Sequence, residues 1–159
     1  MANLSDKQIT AFQELLDRRE IDDLLIRYAT AVDTKDWDLW ETCFTEDAFV
    51  DYESAGGIKG KRPEVRSWLE KTLVMFPMTQ HVVSNRVVEI DGDNATARSV
   101  FYNPMGLAQG ESRQMLFFDG GYYNDKLIKT DAGWKIVQRI EESSYSTRLS
   151  EVMKPMKQR

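Results

Sequence analysis

The chain has one histidine, His81, in a run rich in β-branched residues: Gln80-His81-Val82-Val83-Ser84-Asn85-Arg86-Val87-Val88-Glu89-Ile90. Strand alternation puts His81, Val83, Asn85, Val87 and Glu89 on one face and Val82, Ser84, Arg86, Val88 and Ile90 on the other. An imidazole and an amide beside two valines suit a mostly apolar cavity with a few placed polar groups. The same pattern also fits a histidine at a strand end, bonded to nearby backbone. In a cavity the imidazole would be a general base, provided a carboxylate fixed its tautomer and stabilised the imidazolium. Asp33 is the candidate carboxylate. It closes a helical run in which Ile21, Leu25, Tyr28 and Val32 share a stripe. There it stands against the negative end of the helix dipole, so something must favour it. Either it is a turn residue in Asp33-Thr34-Lys35-Asp36, or it points inward to serve a base.

The elements that would position these groups follow in order. Ser5 and Gln8 have capping-box spacing, so a helix starts at Asp6, with Ile9, Phe12, Leu15 and Leu16 on its stripe. Asp17-Arg18-Arg19-Glu20 either breaks that helix or carries it into the Ile21–Val32 run. Asp36 caps a short helix in which Trp37, Trp40 and Phe44 recur at helical spacing. A first strand follows, with Ala48, Val50 and Tyr52 on one face. Pro63 stands at the start of a third helix carrying Val65, Trp68, Leu69 and Leu73. The His81 strand turns at Asp91-Gly92-Asp93-Asn94 into an antiparallel partner over 95–103, and a loop is expected over 104–111. A long strand over 113–129 contains Gly120-Gly121, which predicts a bulge or bend, and a last strand covers 134–142. The tail carries Leu149, Val152 and Met153 with helical potential. Helices first and a meander of long, bent strands after them give an α+β layout. We expect one domain over residues 1–159: a curved antiparallel sheet, cone-shaped, wrapped around the N-terminal helices.

Composition narrows the function. At 42% hydrophobic and 30% charged the chain is globular, and a net charge of −5 with no basic block argues against nucleic acid as a partner. One cysteine, Cys43, and one histidine cannot supply an ordinary zinc ligand set. Neither a membrane-spanning apolar stretch nor a signal-peptide core is visible, so a cytoplasmic location is expected.

The sequence resembles the SnoaL-like branch of the nuclear-transport-factor-2-like superfamily, and within it the scytalone dehydratase and hexachlorocyclohexane dehydrochlorinase groups. The resemblance rests on Ile21-Asp22-Asp23-Leu24-Leu25-Ile26-Arg27-Tyr28 with Val32-Asp33, on Trp37 through Phe44 followed by Thr45-Glu46-Asp47-Ala48, and on His81-Val82-Val83-Ser84-Asn85. Gly121-Tyr122-Tyr123-Asn124-Asp125, Gly133-Trp134-Lys135-Ile136 and Arg139 complete it. It implies the cone-shaped barrel, a small-molecule substrate, no cofactor or metal, and a homo-oligomer, dimer or trimer. It also matches Asp33 and His81 to the aspartate–histidine pair of those lyases, and brings Tyr28 and Tyr52 near the places of pocket tyrosines. The second histidine of scytalone dehydratase has no counterpart here. The reading is a cofactor-independent lyase acting on a small, mostly apolar, aromatic or cyclic substrate with loss of water, halide or a small aldehyde: His81 abstracts a proton, Asp33 orients it and Tyr28 or Tyr52 donates to the developing charge. Tyr52, Asn85, Tyr102 and Tyr123 are the expected substrate-binding residues, with Phe117 and the methionines 75, 78 and 105 as further wall or rim. Glu141-Glu142 is expected in solvent, and Arg139 either binds an anion or pairs across the sheet. An isomerase or cyclase of the ketosteroid-isomerase or polyketide-cyclase type, or a non-catalytic binding module, would use the same pocket.

Overall fold

The computed structural model describes residues 4–109 and 113–147. Helix α1 is continuous over Asp6–Thr34, with the Ser5–Gln8 capping box at its start. Asp17-Arg18-Arg19-Glu20 therefore carries the helix onward. Its C-terminal half buries Ile21, Leu24, Leu25, Tyr28 and Val32, whereas Ile9, Phe12, Leu15 and Leu16 remain exposed. The helix stops because Lys35 adopts a left-handed conformation and returns its amide to Ala31 and Val32. Asp36 then caps α2 (Trp37–Glu41), whose Trp40 packs on Phe44.

Strand β1 (Phe44–Asp51) leads through a short turn into β2 (Lys59–Lys61) and helix α3 (Arg62–Thr72), which starts with Pro63 in its first turn. The remaining strands are β3 (Met78–Thr79), β4 (Val82–Asp91), β5 (Asn94–Gln109), β6 (Arg113–Thr130) and β7 (Gly133–Ser146). They form one seven-stranded sheet in the order β2-β1-β7-β6-β5-β3, with β4 also on β5. All pairings are antiparallel except β1 with β7, so the sheet is mixed. Its concave face holds Ala95, Ala97, Phe101 and Met105 of β5, Phe117, Tyr123 and Leu127 of β6, and Trp134 and Ile136 of β7, closed by α1 and α3.

Strand β5 runs straight through the segment expected as a loop. Pro104 is tolerated there because its missing N–H faces the gap between β3 and β4, while its carbonyl accepts from the Gln80 amide. At Gly120-Gly121 the register between β6 and β7 shifts, as a bulge requires. A Cβ on Gly121 would run into the Glu142 carbonyl, and one on Gly120 into the Tyr145 ring. The expected helical positions Leu149, Val152 and Met153 lie outside the described residues. Among the described residues no helix is long and apolar enough to cross a membrane.

Strand β4 corrects the simple alternation. Ser84 lies opposite Val100 but Val87 opposite Arg98, so one extra residue is inserted, and Asn85 takes a positive φ of 46°. Asparagine tolerates that conformation better than other residues with a Cβ. An extra residue reverses every later side chain. Val83 packs inward, and beyond the bulge so do Val88 and Ile90, while Val87 and Glu89 turn out.

Candidate active site

His81 sits in the break between β3 and β4 rather than inside a strand. Thr79 stays opposite Met105 and Val82 opposite Tyr102, so register is kept across the break and only the hydrogen bonding is interrupted. The missing bond is the one that Pro104 has no N–H to donate to Gln80, and the His81 amide points away from β5. Asp33 takes up that amide: its Oδ2 accepts from the His81 backbone N–H at 2.7 Å, and its Oδ1 lies 2.6 Å from His81 Nδ1. A carboxylate at a helix C-terminus needs donors to offset the dipole, and one residue of the opposite layer supplies both. The His81 side chain is 7% exposed and that of Asp33 22%. A carboxylate only accepts, so in the neutral ring Nδ1 donates to Asp33 and Nε2 carries no proton.

His81 lines a cavity of about 260 Å³. Tyr28 and Val32 of α1, Tyr52 after β1, and Trp68, Leu69 and Leu73 from α3 and its end form one side. Phe101, Asn103 and Met105 of β5, Phe117, Asp119 and Tyr123 of β6, and Glu141 of β7 form the other. The Tyr28 and Tyr52 hydroxyls lie 2.7 Å apart. Tyr123 stacks on Phe101 and meets Tyr28 edge-on. Burial pushes the hydroxyls of Tyr28, Tyr52 and Tyr123 above the usual phenol range, so all three stay protonated donors at neutral pH.

Two expected binding residues stand elsewhere. Asn85 is exposed at the bulge and Tyr102, 39% exposed, stacks on Phe118; neither borders the cavity. For Asn85 the inserted residue changes which face it occupies. Tyr102 follows from β5 parity, which turns Ser99, Phe101 and Asn103 in and Tyr102 out. Met75 and Met105 border the cavity and Met78 does not. Arg139 is fully buried and pairs with Asp125 directly across the sheet rather than lining the cavity. Arg86 reaches back to Asp22 on α1, and Arg98 pairs with Glu142.

Glu141 is the largest departure. It faces the cavity rather than solvent. Burial, then the nearby Asp119, raise its pKa from 4.5 to about 8, against the pull of Arg139. Burial likewise raises Asp119, partly offset by Ser146 and His81. Alternation from the buried Ile136 and Arg139 carries the signal that Glu141 points in, once a bulge near residue 137 is allowed for. A carboxyl whose folded pKa is raised binds its proton more tightly folded than unfolded. Stability therefore falls as pH rises from about 4.5 to about 8. Glu141→Gln removes that fall. Relative to wild type, the variant gains roughly 1–3 kcal/mol between pH 5 and pH 9 in urea unfolding, allowing for the part of the side chain that is accessible.

Among known proteins, the model of the SnoaL-like domain matches residues 13–140. An uncharacterized protein from Mycobacterium tuberculosis is 37% identical over 145 residues, covering 91% of this chain and 97% of its own length. A protein from Kribbella flavida has a similar structure, with a TM-score of 0.78 and 25% identity over 87% of this chain and 98% of its own. The hexachlorocyclohexane dehydrochlorinase LinA-type3 from Novosphingobium barchaimii shares the fold at a TM-score of 0.73 and 20% identity, covering 86% of this chain and 92% of its own. Helices followed by a curved, pocket-bearing sheet, and a family match across most of that architecture, lead to one conclusion: this chain belongs to the SnoaL-like domain family.

Proposed function

We propose that the protein is a cofactor-independent lyase in which His81 removes a proton next to a carbonyl and a leaving group departs from the neighbouring carbon. The observation that carries this reading is the double contact of Asp33 with the amide and Nδ1 of His81, which leaves Nε2 free at an apolar cavity. In the reaction Nε2 takes the proton, the Asp33 charge stabilises the imidazolium, and the Tyr28–Tyr52 pair donates to the developing enolate oxygen. The cavity of about 260 Å³ lies just below the ~300–1,000 Å³ typical of ligand sites, which favours a single-ring substrate over a diaryl one. The dehydrochlorinase among the structural relatives agrees with elimination as the reaction class.

We extend the reading to self-association through the outer sheet face, where Val82, Val87, Tyr102 and Ile140 are exposed.

Product mass separates lyase from isomerase. Incubated with a panel of small cyclic and aryl ketones bearing a β-leaving group, the protein is expected to give enones lighter by the leaving group. Products of unchanged mass would move the assignment to an isomerase. A bound ketone that neither loses a fragment nor exchanges its α-proton with deuterated water would leave a binding module.

A further inference from the structure

The first turns of α1 stand outside the body. Every described residue from Leu4 to Leu16 is exposed, and the first buried position is Asp17. Asp17 Oδ1 accepts from Lys129 Nζ at 2.5 Å and from Trp134 Nε1 at 3.0 Å, and Arg18 Nη1 donates to the Val88 carbonyl at 2.8 Å. The helix is thus clamped to the sheet at the point where it leaves it, and residues 4–16 project as an arm of fixed direction. Ile9, Phe12 and Leu16, at steps of three and four, form one stripe with Leu4 and Leu15 beside it. These five side chains are between 42% and 64% exposed. By helical angle the stripe lies opposite Ile21, Leu25, Tyr28 and Val32, which α1 buries in its own core, so it points away from the body. Gln8 and Ala11 share its face, whereas the charged Asp6, Lys7 and Glu14 lie on the other side. About three turns of helix are marginal in water, and an apolar stripe of this size calls for a cover.

Residues 148–159 of the same chain do not supply that cover. They follow Thr147, whereas the arm is clamped beside the Lys129–Trp134 pair, roughly 40 Å back along β7. Twelve residues span about 40 Å fully extended and would have none left to lie on the arm. A membrane surface favours Lys and Arg beside the apolar face. Here residues 4–16 carry two acids to one lysine, in a chain of net charge −5. An uncharged apolar stripe is matched by another like it. We propose that residues 4–16 are a dimerisation arm, whose stripe packs antiparallel on that of a second copy about a two-fold axis near Phe12. In such an isologous contact Ile9 of each copy meets Leu15 and Leu16 of the other. The contact is separate from the outer sheet face and does not depend on the reaction assigned to the cavity.

Sedimentation velocity of the full chain at micromolar concentration tests this. The wild type should run as an assembly of an even number of copies, and Phe12→Glu should halve its mass. Because Phe12 lies outside the core, urea unfolding of the released protein should stay cooperative. Phe12→Lys should halve the mass in the same way. An equimolar mixture of the two variants should restore the wild-type mass, because the two-fold axis sets residue 12 of one copy beside residue 12 of the other. A mass that Phe12→Glu leaves unchanged overturns the assignment and gives any assembly to another surface. A mixture that stays dissociated also overturns it, since the arm would then pack on some other part of its partner. A monomeric wild type overturns it as well, and if that monomer floats with vesicles of neutral and anionic phospholipid, the stripe belongs to a membrane surface.

Discussion

His81→Ala lowers kcat/KM for elimination by about 10²–10⁴-fold, the loss expected when a positioned general base is removed. The chain has no second histidine to take its place. Asp33→Asn should produce a loss of the same order for a different reason. Asp33 accepts from two donors on one residue, the His81 amide and Nδ1–H, with one oxygen each. An amide has a single oxygen. If that oxygen meets the backbone N–H, its NH₂ faces Nδ1 and drives the ring proton onto Nε2, so the base is lost. If it meets Nδ1, two donors oppose each other at the backbone. Rates measured for both variants check this, and a kcat/KM within about threefold of wild type for either would remove the dyad from the mechanism.

The largest effect on stability is expected at Arg139. Its Nε and Nη2 donate to Asp125 at 2.7 and 2.6 Å, and both side chains are 0% exposed. The guanidinium also lies 3.9 Å from the centre of the Tyr28 ring and 4.2 Å from that of Tyr123. Arg139→Leu leaves the Asp125 carboxylate buried and alone and removes the cation from both rings. It should cost about 3–5 kcal/mol in urea unfolding. Adding Asp125→Leu to it should recover much of that loss, because the cost lies in the uncompensated charge rather than in the pair's net worth. A loss under about 1 kcal/mol for Arg139→Leu would mean that water or a nearby group takes over the pairing.

Much of the architecture was legible from residue pattern. The Ile21–Val32 stripe, the buried Ala48, Val50 and Tyr52, and the glycine-marked bend each state a packing requirement that a single strand or helix satisfies locally. Asp33 was legible for a related reason: an acid at a helix C-terminus is a local conflict, and the structure resolves it with His81. What escaped depended on interactions between elements. The extra residue at Asn85 changes the facing of half of β4, and nothing in the β4 sequence alone announces it. Pro104 read as a loop because a proline removes a ladder bond, yet β5 stays continuously paired with β6 and gives up only one bond toward Gln80. Glu141 next to Glu142 read as a solvated pair. Only the pairing of β7 with β6 turns one of the two toward the cavity and leaves the other to Arg98 on the outer face.

The tautomer of His81 is the most direct test of the Asp33–His81 base. Nitrogen-15 NMR of the ring is unambiguous with one histidine in the chain. In the neutral ring the account predicts a protonated Nδ1 with a far-downfield proton, bonded to Asp33, and an unprotonated Nε2. It also predicts that this Nδ1–H signal disappears in Asp33→Asn. A wild-type ring that carries its proton on Nε2, or a spectrum that Asp33→Asn leaves unchanged, would contradict it.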